Sequence, residues 1–268
     1  MNIPTIPVRL LCVPVLSASF YLAPVFAQPA SSPSAPVDSL VALGDNYSTK
    51  QFNNEKALEA FLKALTLAPN SDEILWRISR SYIDIGEHLP VHTDEEKQKQ
   101  LETYEKSLSY AEKAIVANPK SSMAYTRRAI ANGRIALFKG VWDAPGLVKQ
   151  TKADCETAIS LDSSNAAAFY VLGRTHAKVS EKPRIIRWPL GLSWANLDDA
   201  VTNYDRAISL RPGFIMYRLD YARTLIEQEK FDKAREQLTT IGTLPTEDED
   251  DTQFRKEAKD LIEEIKGK

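Results

Sequence analysis

A phrase that recurs four times constrains this chain more than any other feature. It reads EKALEAFLKALTLAPNS at Glu55–Ser71, EKSLSYAEKAIVANPKS at Glu105–Ser121, TKADCETAISLDSSN at Thr151–Asn165 and DDAVTNYDRAISLRPGF at Asp198–Phe214. Each copy has the apolar spacing of an amphipathic helix and then a break. In three copies a proline follows a small residue at the same offset: Ala64 and Pro69, Ala114 and Pro119, Ala207 and Pro212. The remaining copy has Ala158 and Ser163. Proline cannot continue a helix, so it stops the element and sets the next turn. A repeated helix with a repeated stop is the signature of a stacked array.

Ala, Leu, Glu and Lys are abundant, and glycine is scarce at 10 of 268 residues. No stretch alternates as a half-buried strand does. The fold class expected is all-α. With 34 Lys and Arg against 36 Asp and Glu, the charge balance points to no nucleic-acid partner.

The first 27 residues read as a secretory signal peptide. Arg9 precedes an apolar run, Leu10–Val25, and Val25-Phe26-Ala27 places small residues where a peptidase cuts before Gln28. Pro14 and Pro24 interrupt the run, which makes it a poor membrane span. Export to a periplasm is the expectation. A cytoplasmic or microtubule-associated site is the alternative if the segment is not a signal. Cleavage would remove Cys12 and leave Cys155 alone, so no intramolecular disulfide is expected. Residues 28–36 (QPASSPSAP) read as a disordered linker.

The rest divides into helix pairs: Val37–Lys50 with Asn53–Leu67, Asp72–Gly86 with Gln98–Ala117, and Ser122–Phe138 with Val148–Leu161. Then come Asn165–Val179 with Asn196–Leu210, and Phe214–Gln228 with Phe231–Ile241. Small or aromatic residues at fixed offsets, closing on Ala and Pro, resemble tetratricopeptide repeats, most clearly from Leu219 to Ala234. No pair can bury its own apolar face, so neighbours must lean on one another. A right-handed α-solenoid of about five pairs over 37–245 follows, with a C-terminal capping helix within 246–268. The acidic run Thr246–Asp251 suits the start of that helix.

Successive copies lie farther apart than the 34 residues of an ordinary repeat. The excess falls at Glu87–Lys97, Lys139–Leu147 and Ser180–Ala195. Phe138-Lys-Gly140, Leu172-Gly-Arg-Thr-His176, Arg187-Trp-Pro-Leu-Gly-Leu-Ser-Trp194, Arg218-Leu-Asp-Tyr-Ala-Arg223, Leu244-Pro245, Glu249-Asp-Asp251 and Lys256-Glu-Ala258 resemble bacterial relatives of the regulator of microtubule dynamics family. That resemblance implies a helical repeat domain without catalysis and, in eukaryotes, association with microtubules.

No nucleotide loop, nucleophile elbow or zinc-protease pair appears, so neither enzyme activity nor a cofactor is expected. His88 and His92 with Asp94, Glu95 and Glu96 are the nearest approach to a metal cluster, and Pro90 keeps them off one helix face. A solvated loop is the expectation there. His176 and Cys155 occupy core positions of their repeats. In such arrays the first helix of each pair lines the groove. The residue after each small contact position is Asp45, Arg80, Ile130, Arg174 and Arg223. One turn earlier stand Val41, Trp76, Thr126, Tyr170 and Leu219, and Arg134 and Lys178 stand one turn later. This predicts a basic groove with aromatic platforms that holds a protein or peptide partner, anionic or extended. The partner-binding candidates are Trp76, Arg80, Arg134, Tyr170, Arg174, Lys178 and Arg223. The RIIRWPLGLSW insertion, Arg184–Trp194, reads as a packing flap or as a membrane-surface contact.

Overall fold

In the computed structural model, residues 35–268 are described; the signal-peptide reading of 1–27 lies outside them. They form twelve α-helices and one 3-10 turn, with no strand among the described residues. Five antiparallel pairs follow in order: α1 (Ala35–Thr49) with α2 (Asn54–Leu67), α3 (Asp72–Glu87) with α4 (Asp94–Ala117), and α5 (Ser122–Lys139) with α6 (Pro145–Leu161). The fourth joins α7 (Ala166–Ser180) to α9 (Leu197–Leu210) across the short α8 (Arg184–Arg187), and the fifth joins α10 (Ile215–Glu227) to α11 (Phe231–Ile241). The last helix, α12 (Asp251–Glu264), packs on both α10 and α11. The first helices of successive pairs also touch, α3 to α5, α5 to α7 and α7 to α10, so they line one face of the solenoid. Ala35 and Pro36, read from sequence as linker, belong to α1.

The repeated break is one turn made four times. The backbone amides of Ser71, Ser121, Asn165 and Phe214 reach the carbonyls of Ala68, Asn118, Asp162 and Arg211 at 3.2, 3.0, 3.2 and 3.4 Å. The third copy turns as the others do although Ser163 replaces proline, because Asp162 Oδ1 accepts from Ser164 N at 2.9 Å and holds the bend.

In the first four pairs the two helices meet at residues of matched volume. Gly44 lies against Phe61, and a Cβ built on it would sit 2.4 Å from the ring. Gly173 packs on Tyr204 in the same way, with the Ala200 carbonyl 3.1 Å from a built Cβ. The second pair meets at two serines: Ser107 Oγ donates to the Ser79 carbonyl at 2.9 Å, and Ser79 and Ser107 hydroxyls lie 2.9 Å apart. The third pair meets at Ala129 and Cys155, both fully buried in one cluster with Leu172. Burial, helped by the charges of Asp154 and Glu156, pushes the Cys155 thiol well above its ordinary value.

The insertions are built. In the first, α4 begins at Asp94, four residues before the sequence expectation, because Thr93 and Glu96 form a reciprocal capping box. The second closes α5 at Gly140, whose φ of +93° a side chain would resist, and opens α6 with Pro145 in its first turn. The third folds half inward. Leu192 is fully buried beside Val141, Val148 and Val179, and buried Arg187 donates to the carbonyls of Leu192 and Ala195 at 3.3 and 2.7 Å. His176 is a core residue: Trp194 meets it edge-on at 4.9 Å, and it accepts from Asn196 N at 3.4 Å.

Candidate functional site

The first helices of the pairs enclose a channel of about 610 Å³ along their shared face. Helical spacing aims its side chains: residues one turn apart on one helix point the same way. Thus Arg80, Asp84 and Glu87 come from α3, Ile130 and Arg134 from α5, Tyr170, Arg174 and Lys178 from α7, and Tyr217, Asp220 and Arg223 from α10.

Of the sequence candidates, Arg80, Arg134, Tyr170, Arg174, Lys178 and Arg223 all line this one channel, together with Ile130. Trp76 does not. Its indole is taken by Arg77 at 4.2 Å and Arg127 at 5.6 Å, and its Nε1 donates to Glu73 at 3.2 Å. Asp45 is turned to Arg77 at 3.0 Å, Thr126 and Leu219 are buried, and Val41 packs in the first core. The reading one turn earlier therefore fails at four of its five positions.

Carboxylates answer the cations. Arg80 meets Asp84 at 3.2 Å and Arg134 meets Glu87 at 2.6 Å. Asp220 is shared: the Tyr170 hydroxyl donates to it at 2.6 Å, Arg174 lies 3.6 Å away, and Arg223 bridges it to Glu257. Burial pushes the Tyr170 hydroxyl well above its ordinary value, with the Asp220 charge adding to it against Arg174, so it serves as a donor. Burial also raises Glu87 against the pull of Arg134 and Arg174. The channel is charge-matched rather than simply basic.

The acidic run, expected to cap α12, does something else. No side chain caps that helix. Buried Asp251 instead folds back, accepting from the amides of Glu247 and Asp248 at 2.7 and 3.0 Å. This turn lays Glu247–Asp250 along the channel wall. Glu247 takes Arg211 at 2.9 Å, Glu249 accepts from Asn54 at 2.7 Å, and Asp250 meets His88 Nε2 at 3.2 Å. The segment is a strap joining the last repeat to the first two. His88 therefore faces the channel rather than a metal cluster, and Glu96 is committed to the cap of α4. Sequence reasoning missed the strap, Arg127 and Arg211. Their signal was an acidic run in a chain whose repeats present arginines.

On the outside, Ile185, Ile186 and Trp188 are 77, 55 and 70% exposed, beside exposed Arg184. No helix among the described residues is long and apolar enough to cross a membrane.

Comparison with known proteins places this geometry. The family model of regulator of microtubule dynamics proteins 1–3 matches residues 40–266, and the chain belongs to that family. Regulator of microtubule dynamics protein 2 of Bos taurus is 22% identical over 236 residues, 86% of this chain and 56% of the relative. Protein 1 of Bos taurus is 26% identical over 71% of this chain and 61% of its own length. The chain thus spans little more than half the length of these relatives. Among solved structures, a thermophilic tetratricopeptide-repeat protein of Thermus thermophilus aligns with a TM-score of 0.60 at 16% identity, covering 83% of this chain and 98% of its own. The pilF protein of Pseudomonas aeruginosa aligns at 0.50 and 12%, covering 86% and 88%. These likenesses establish the tetratricopeptide-like solenoid fold.

Proposed function

We propose that this member of the regulator of microtubule dynamics family is a non-catalytic binding module whose channel takes an extended acidic segment of a partner protein. One observation carries the reading. The chain's own Glu247–Asp250 lies in the channel with its carboxylates on Arg211, Asn54 and His88. Carboxylate side chains are therefore a chemistry this wall already accepts, and arginine forks suit them. A partner segment would displace or extend the strap. The repeats supply rigid side chains at fixed spacing and no converging nucleophile and base.

The test is fluorescence anisotropy with a labelled Glu/Asp-rich peptide and a Lys-rich control. The acidic peptide binds, binds about tenfold tighter to an E247Q/E249Q/D250N chain, and weakens as salt rises. Equal binding of both peptides, or none of either, sinks the reading.

A second reading rests on the exposed Ile185, Ile186 and Trp188 beside Arg184. Basic plus aromatic surface suits the boundary of an anionic membrane. Flotation with anionic vesicles, compared with an I185S/I186S/W188S chain, tests it.

Where the chain works selects its partner. The pattern over residues 1–27 supports export, with cleavage before Gln28; the relatives' name supports a microtubule protein instead. Mass spectrometry of the mature N-terminus and microtubule co-sedimentation separate the two.

A further inference from the structure

We infer that Arg127 is the anchor of the channel, the guanidinium that grips a carboxylate of the bound segment. This rests on the peptide-binding reading above and names the residue on which it turns. Every other arginine of the channel wall is already held: Arg80 by Asp84, Arg134 by Glu87, Arg174 and Arg223 by Asp220, Arg211 by Glu247. Arg127, on α5, lines the same channel and meets no carboxylate among the described residues. Its Nε is fully enclosed and has no hydrogen-bond partner there.

An enclosed donor without an acceptor is costly, and an enclosed cation without an anion more so. The surroundings sharpen the point. Trp76 supplies a ring 5.6 Å from the Arg127 guanidinium, but Arg77 stacks on the same ring at 4.2 Å. Burial, with the charges of Arg80 and Arg77 and against that of Asp84, pushes Arg127 down to about 10. The fold holds a positive fork in a place that opposes its charge. A carboxylate arriving at the terminal nitrogens, on the accessible side of this half-buried residue, neutralises the fork with the paired bonds that guanidinium geometry favours. No carboxylate of the strap pairs with it: those of Glu247, Glu249 and Asp250 are on Arg211, Asn54 and His88, and that of Asp248 accepts from the Asp250 amide at 3.3 Å. A longer segment following the strap's path brings the next carboxylate to Arg127.

The experiment compares wild type, R127M, R127Q and R127K for binding of a hexaglutamate peptide, as the free acid and as the C-terminal amide. Melting temperature is measured in parallel. R127M and R127Q bind on the order of tenfold more weakly and melt at the same temperature or higher. R127K, which keeps the charge and loses the fork, falls between. A larger loss for the free acid than for the amide assigns the terminal carboxylate; equal losses assign a side chain. If wild type binds and R127M binds equally well, the anchor is wrong while the peptide-binding reading stands. If R127M loses binding only by melting earlier, Arg127 is structural and the anchor is likewise wrong. If wild type binds neither peptide, the parent reading fails first.

Discussion

Asn54 donates a hydrogen bond to Glu249 across 2.7 Å, joining two residues 195 positions apart. It ties the first repeat to the segment before the last helix. Beside it, His88 presents both ring nitrogens to acceptors: Nδ1 to the Asp84 carbonyl at 2.7 Å and Nε2 to Asp250 at 3.2 Å. Only the charged imidazolium satisfies both.

That geometry makes strap closure pH-dependent. Burial opposes the His88 charge, but the Asp84 carbonyl, the Asp250 hydrogen bond and the Glu249 charge outweigh it and push the group up to about 9. A pKa raised by folding contributes stability that is whole below about 6.5, the ordinary value for histidine, and lost as pH rises through 9. Hydrogen exchange of Glu247–Asp250, corrected for intrinsic rate, should show greater protection at pH 6 than at pH 9.5. H88Q should remove most of that difference. A strap equally protected at both pH values contradicts the assignment.

Ser79 and Ser107 should differ sharply in what they contribute. Ser107 Oγ donates to the Ser79 carbonyl, which leaves Ser79 Oγ to donate to Ser107 Oγ. S107A strands a fully buried hydroxyl and costs about 1–3 kcal/mol. S79A leaves Ser107 its carbonyl partner and costs about 1 kcal/mol or less. The double variant should lose less than the two singles combined, since no orphan is left. Urea unfolding of the four proteins measures this.

At the first pair, G44A should destabilise by about 1–3 kcal/mol, because the new methyl meets the Phe61 ring. Adding F61L should recover part of the loss. Thermal melts that put G44A at or above wild type would exclude the tight Gly44–Phe61 contact.

Cys155 should be inert in the folded protein. It is fully buried, and burial pushes the thiol up, so little thiolate forms. In a C12S chain, Ellman's reagent should react only after denaturant is added. Rapid labelling of the native chain would show that α6 opens.

The Arg128–Asp154 pair staples α5 to α6. Two bonds at 2.8 and 2.6 Å hold a nearly fully buried carboxylate, with Gln150 adding a third at 2.9 Å. D154A should cost on the order of 3 kcal/mol, because Arg128 is left without its partner in a partly enclosed place. Calorimetry of D154A against R128A/D154A should find the double variant the more stable.

The amino-acid order by itself determined the repeats. Apolar spacing and the Ala–Pro stops define five pairs, since this is local chemistry within one turn or one hairpin. It also placed Arg80, Arg134, Arg174 and Arg223 on one wall, because a helix repeats every 3.6 residues wherever it sits. It could not say that Trp76 turns aside to Arg77, or that α4 starts at Thr93's cap, although the T-x-x-E signal was present. Least of all could it place Glu247–Asp250. Where an acidic run lands depends on how far the stacked pairs curve, and that curvature sums small rotations over every interface. Only the tertiary structure brings Glu249 back to Asn54, and only there does Arg127 stand apart as the channel arginine that no carboxylate pairs with among the described residues.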